Sequence, residues 1–189
     1  SGDRRIIGNS APRYMYGINL GADWNNIFFS VFFQGVGKQQ WYPSTETEMF
    51  WGQYNRPYNN IPTFHLGNMW TPENTDAYFP RTMSRAASSN TNRTLGVAQT
   101  RYLQNVAYIR MKNIQIGYAL PKNLLKKIGI SDLYLYVNGQ NLFTGTDFWQ
   151  GYDPEVAYDA GAADGVTLGG AAYYPQVKVY SFGIDVKLR

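Results

Sequence analysis

Five segments of this chain alternate apolar residues with polar or small ones, and the connections between them are short and long in turn. A period of two places successive side chains on opposite faces, so each segment reads as a β-strand. The expected strands cover 14–24, 27–37, 106–120, 132–143 and 177–188. The third ends most clearly: Ile114, Ile116, Tyr118 and Leu120 share one face, Asn113, Gln115, Gly117 and Ala119 the other, and Pro121 stops it. In the first, Tyr16, Ile18, Leu20, Ala22 and Trp24 oppose Gly17, Asn19, Gly21 and Asp23. In the last, Tyr180, Phe182, Ile184, Val186 and Leu188 oppose Ser181, Gly183, Asp185 and Lys187. Leu133, Leu135 and Val137 oppose Tyr134, Tyr136 and Asn138 in the fourth. The second is the most ambiguous, because Ile27, Phe29, Val31 and Phe33 face away from a set that itself contains Phe28 and Phe32.

The short connections are Asn25-Asn26 and Pro121–Ser131, the latter with a helical turn, and the long ones are 38–105 and 144–176. Short turns at one end and long loops at the other are the pattern of outer-membrane barrels, whose strands of about 10 residues carry an apolar outer face. Composition agrees. Aromatic residues make up 16% of the chain and charged residues only 16%, and the mean hydropathy of −0.40 reflects the amides and hydroxyls in the gaps. A secreted glycan-binding β-sandwich would have a similar make-up. No apolar run reaches the roughly 18 residues of a spanning helix, so a membrane would be crossed by strands. The net charge of +4 is dispersed, which argues against nucleic acid as a partner. The opening Ser1-Gly2-Asp3 is neither an initiator nor a signal peptide and reads as part of a longer chain.

Arginine or lysine at the middle of a lipid face costs roughly 2–4 kcal/mol. Arg110 and Lys112 share the parity of Ile114 and Ile116, so two arrangements remain open. With a strand tilted by about 45°, Lys112 would lie about 19 Å above Leu120, where it can extend to the interface. Alternatively, a β-bulge near Lys112-Asn113 switches the faces and turns Ile109 and Met111 outward.

Catalytic chemistry finds little support. There is no cysteine and His65 is the single histidine, which excludes thiol nucleophiles and histidine metal clusters and leaves His65 as a packing residue. Asp147, Asp153, Glu155, Asp159 and Asp164 could offer oxygens to calcium, but their spacing is not that of an EF-hand, and a solvated loop is the preferred reading. The loop 38–105 is more informative. Trp41, Tyr42, Trp51, Tyr54, Tyr58 and Trp70 lie among Asn55, Arg56, Asn59 and Asn60, a mixture suited to stacking on sugars or anchoring a protein partner. A loop this long must also bury something to stay ordered, and a small core is the reading preferred for most of these rings.

The blocks GDRRIIGNSAPRYMYGINLGADW, FWGQYNRPYNNIP, HLGNMWTPENTDAYFPR, TRYLQNVAYIRMKNIQIGYALP, NGQNLFT and YSFGIDVKL resemble, in order, the C-terminal part of SusC/RagA-like TonB-dependent transporters of Bacteroidetes. The resemblance implies an all-β fold: the last five antiparallel strands of a transmembrane barrel of about 22 strands with long extracellular loops. The plug domain is not in this chain. It further implies outer-membrane localisation and energised import of glycans or, in some members, peptides. TonB would act through the plug, and a SusD-like surface lipoprotein would serve as lid. No cofactor and no enzymatic activity are implied. Lid or substrate contact would fall to the loop aromatics with Arg56, Arg81, Arg85 and Arg101. Asn19, Asp23, Asn113, Gln115 and Asp185 would line the lumen or touch the plug. Family members commonly end on an aromatic residue, whereas Leu188 is followed here by Arg189.

Overall fold

A computed structural model describes residues 5–44, 47–54, 56–88, 94–149, 151–155 and 175–188, with the side chains of residues 48, 85, 88, 94 and 127 excepted. The chain divides into two compact units. One, the sheet unit, comprises residues 13–37, 107–146 and 176–189; the other, the loop unit, comprises 1–12, 38–106 and 147–175.

The sheet unit is built from β1 (Met15–Trp24), β2 (Ile27–Val36), β5 (Tyr108–Ala119), β6 (Ile130–Thr146) and β7 (Val179–Leu188). They form one antiparallel sheet in the order β1-β2-β5-β6-β7. Between β2 and β5 in the sequence lie β3 (Gln40–Trp41) and β4 (Gln104–Asn105), a two-residue ladder in the loop unit. Val106 donates its N–H to Gln39 O at 3.0 Å as part of that ladder. This pairing is why β5 begins at Tyr108 rather than at 106. At the other end β6 outruns its apolar alternation, because Thr144, Gly145 and Thr146 still pair with Arg110, Ile109 and Tyr108. Backbone pairing does not require an apolar side chain.

Local chemistry accounts for both short connections. Asn25 and Asn26 take φ of 47° and 66°, the left-handed pair of a two-residue hairpin turn whose twist matches that of its strands. Asn26 O accepts a bond from Ala119 N at 2.8 Å, so the turn also ties to β5. Pro121 precedes a single helical turn (Lys122–Leu125), and Gly129 at φ 74° releases the chain into β6. Lys122 Nζ lies 4.0 Å from Asp132 and is well exposed, so this pair adds little to stability.

Residues directly paired across neighbouring strands point to the same face. One face therefore carries continuous apolar rows: Trp24–Ile27–Tyr118–Leu135–Ile184, then Ala22–Phe29–Ile116–Val137–Phe182, then Leu20–Val31–Ile114–Gly139–Tyr180. The opposite face carries Asn19–Phe32–Asn113–Gln140, Gly21–Ser30–Gln115–Asn138–Ser181 and Asp23–Phe28–Gly117–Tyr136–Gly183, with Asp185 beside Tyr134. Phe28 and Phe32 thus lie on the polar face. The Phe28 ring covers Gly117, where an added Cβ would sit 1.9 Å from Cζ, and Tyr136 covers Gly183 in the same way. Each glycine leaves the space that a neighbouring ring fills.

The pairing also decides the arrangement at Lys112. Between Phe32 and Phe33, β2 advances one residue while β5 advances from Asn113 to Met111, and the register with β6 shifts at the same point. Lys112 is the extra residue of a β-bulge. Above it, Met111 and Ile109 join the apolar face beside Phe33 and Gly35, and Arg110 pairs with Gln34 and Thr144 on the polar one. Arg110 is only 3% exposed, and its Nε donates to Thr144 Oγ1 at 2.9 Å.

Candidate functional site

Aromatic residues dominate the interior of the loop unit. Phe50, Trp51, Tyr54, Phe79, Leu95 and Tyr102 are buried together, with Tyr42, Phe64, Tyr78, Trp149 and Tyr152 packed around them. Trp51 meets Tyr102 edge-on at 5.1 Å and Phe50 at 4.8 Å. Its indole N–H donates to Ser44 O at 2.8 Å, which satisfies the one polar atom the ring carries into the core. Helix α1 (Glu48–Trp51) delivers Phe50 and Trp51, and the following 3-10 turn delivers Tyr54. A smaller cluster joins Trp41, Val106 and Phe148.

Burial sets the electrostatics here. It pushes the Tyr42 and Tyr54 hydroxyls up to about 12 and raises Tyr78 and Tyr102 as well. Tyr42 donates to Leu95 O at 3.0 Å and Tyr54 to Pro80 O, so these hydroxyls tie loop segments together. His65 is fully buried, and burial holds its imidazole below the usual range. Its Nε2 lies 2.8 Å from Phe50 O and therefore carries the proton. Nδ1 lies 3.1 Å from Gln53 Oε1, and the Gln53 amide nitrogen donates to Met69 Sδ at 3.0 Å. His65 is thus a packing residue with both ring nitrogens used.

The candidate contact residues separate into two groups. Trp41, Trp51 and Tyr54 are buried in the two clusters, with Tyr42 half-buried against one of them. Tyr58 is 76% exposed, Trp70 and Arg81 are exposed, and Arg56 is half-buried. The Arg85 side chain lies outside the described residues, as do Asn55, Asp159 and Asp164. Arg101 is exposed and tied to the loop backbone, its Nε donating to Tyr78 O at 2.9 Å. Asp153 Oδ1 accepts from Glu155 N at 2.9 Å, a local turn that shapes the second long loop. Among the described residues no three acidic or histidine side chains gather into a metal-binding group. On the sheet, Asn19, Asp23, Asn113, Gln115 and Asp185 occupy the polar face defined by strand pairing.

Sequence reading overlooked an open cleft of about 530 Å³ within the loop unit. Phe64, Pro62 and Met49 from the first long loop and Trp149 from the second provide its apolar lining, with Asn59, Asn60 and Thr63 as the polar groups. Phe64 and Trp149 meet with centroids 4.5 Å apart. The Trp149 ring lies across Gly151, where an added Cβ would be 2.0 Å from it. Trp149 stands in a stretch without alternation, and only its meeting with a residue 85 positions earlier makes it part of a site.

No family model matches the sequence. Two proteins of Formosa agariphila are similar to it over nearly its whole length. TonB-dependent receptor P3 is 32% identical over 188 residues, which cover 98% of this chain and 17% of the receptor. TonB-dependent receptor P26 is 23% identical over 187 residues, covering 97% and 18%. The chain thus spans about a sixth of the length of these curated relatives. Its fold is similar to that of a RagAB peptide importer in the open-open state, with TM-score 0.65 and 24% identity over 97% of this chain and 18% of that one. A further RagAB peptide transporter structure gives TM-score 0.66 at 23% identity, with the same coverage. Over nearly its whole length the chain is thus similar in sequence to one part of the TonB-dependent receptors and in fold to the RagAB structures.

Proposed function

We propose that this chain forms five strands of a closed outer-membrane barrel of about 22 strands that imports glycans or peptides. The observation that carries this reading is the separation of the two sheet faces across all five strands. Leu20, Ile116, Val137, Phe182 and Leu188 are all more than half exposed on a surface far too apolar for water. Lipid is the solvent that suits it. The polar face, with Asn19, Asp23, Asn113, Gln115 and Asp185, then looks into the lumen or toward a plug. The loop unit lies outside the cell, where Tyr58, Trp70, Arg81 and Arg56 contact a SusD-like lipoprotein lid or the substrate. Energy reaches the barrel from TonB through the plug. A glycan-binding β-sandwich would need a second sheet over the apolar rows, and the second ladder among the described residues is two residues long.

Fractionation tests the reading. The protein should sediment with outer membranes, require detergent for extraction and migrate faster unheated than boiled on electrophoresis. Recovery as a soluble monomer without detergent would sink it.

A further inference from the structure

We propose that the cleft between the two long loops is a subsite for a neutral oligosaccharide, centred on Trp149 and Phe64 with Asn59, Asn60 and Thr63 as its hydrogen-bonding groups. Four features carry the assignment. First, none of the described residues lining the cleft is charged, so these residues offer nothing to pair with a carboxylate, a phosphate or an ammonium group. Second, the lining is mainly apolar and includes two half-buried aromatic rings, which match the C–H faces of pyranose rings. Third, the Asn60 amide and the Thr63 hydroxyl have no hydrogen-bond partner among the described residues, and Asn59 makes one weak bond from Nδ2 to Gly52 O at 3.4 Å. Amides donate and accept at once, as sugar hydroxyls do. Fourth, its volume of about 530 Å³ lies within the roughly 300–1,000 Å³ of small-ligand sites.

The cleft is also braced from beneath. Trp149 packs edge-on against Phe50 at 5.5 Å, and Phe50 is fully buried in the loop core. The aromatic floor is therefore held before any ligand arrives, which lowers the ordering cost of binding. Exposed Asn60 and Thr63 remain free to adjust to the pattern of hydroxyls.

This subsite refines the import reading by naming its cargo as a neutral glycan, yet binding itself requires only a folded loop unit. The test is a titration of the intact protein in detergent micelles, followed by tryptophan fluorescence. The probes are neutral hexasaccharides of glucose, galactose, mannose and xylose, a hexasaccharide of galacturonate, and an end-blocked neutral hexapeptide. At least one neutral sugar should bind saturably, with neither the uronate nor the peptide competing. Trp149→Ala should weaken that binding by about tenfold or more. Because loss of the indole could loosen the loop core, the paired surface substitution Asn59→Ala with Asn60→Ala is the second variant, and it should give a similar loss by calorimetry. Heat-dependent electrophoretic mobility checks the barrel, and trypsin resistance checks the loops. Failure of every neutral sugar, preference for the peptide or the uronate, or unchanged affinity in the asparagine variant with intact loops would overturn the subsite. Detergent-free solubility would instead break the import reading while leaving the sugar titration to stand on its own.

Discussion

Trp24 and Phe182 in the sheet unit are 76% and 68% exposed, whereas Trp51 and Tyr54 in the loop unit are each 1% exposed. The same residue types serve opposite purposes in the two units. On the sheet they line up at a period of two on a face that nothing among the described residues of that unit covers. In the loop unit they have no period, and they converge edge-to-face on one another. The difference teaches that the sheet leaves its apolar face for a solvent outside the unit, lipid on the proposed reading, while the loop unit makes its own apolar interior. Aromatic burial in the loops follows the ordinary logic of a water-soluble core, and the sheet inverts it.

The sharpest way to break this comparison is to truncate one ring in each unit. Trp51→Ala should cost about 3–5 kcal/mol, the usual range for a large buried aromatic. It should make the loops sensitive to trypsin while leaving the heat-dependent mobility of the barrel unchanged. Loss of both together would show that the two units fold as one. Next in size, Phe182→Arg or Ile184→Arg places a cation on the apolar face at roughly 2–4 kcal/mol. Ser181→Arg on the polar face should be much milder, and equal assembly defects for the two faces would refute their assignment.

A smaller effect sharpens the account of the polar face. Gly117→Ala introduces a methyl group into the space occupied by the Phe28 ring, and overpacking of this kind typically costs about 1–3 kcal/mol. The double variant Gly117→Ala with Phe28→Ala should recover part of the loss in refolding yield; no recovery would mean that the ring can move aside freely. The smallest effect concerns acid. Burial lowers the His65 pKa in the folded loop unit, so the unfolded chain binds the proton first as pH falls below about 6.5. The stabilising contribution is complete above that pH and is lost on acidification through the lower folded value. Melting of the loop unit should therefore shift down in acid, and His65→Gln should flatten the slope below 6.5. A slope unaffected by the substitution would assign the acid sensitivity to other groups.

Much of the sheet was legible because its code is local. In β1, the lower half of β5 and β7, alternation alone separates the faces, since the polar members are small residues, amides and charges. β2 resisted this reading for a physical reason. Phe28 and Phe32 are apolar residues on a polar face, and the glycine that makes room for Phe28 is Gly117, on another strand. The site was less legible still. Trp149 and Phe64 belong to different loops, and nothing in either loop by itself records that they meet.

The sequence by itself determined that this chain would make long alternating strands, where its turns would fall, and that it carries no thiol and a single imidazole. These follow from backbone periodicity, from the left-handed tolerance of asparagine, from the fixed φ of proline, and from composition. Only the tertiary structure decided that Lys112 bulges and carries Arg110 to the polar face, because a bulge exists only relative to the neighbouring strands that skip it. It likewise decided which aromatic residues are core and which line a cleft. Burial belongs to contacts between distant segments, and a single stretch of sequence contains only one side of each.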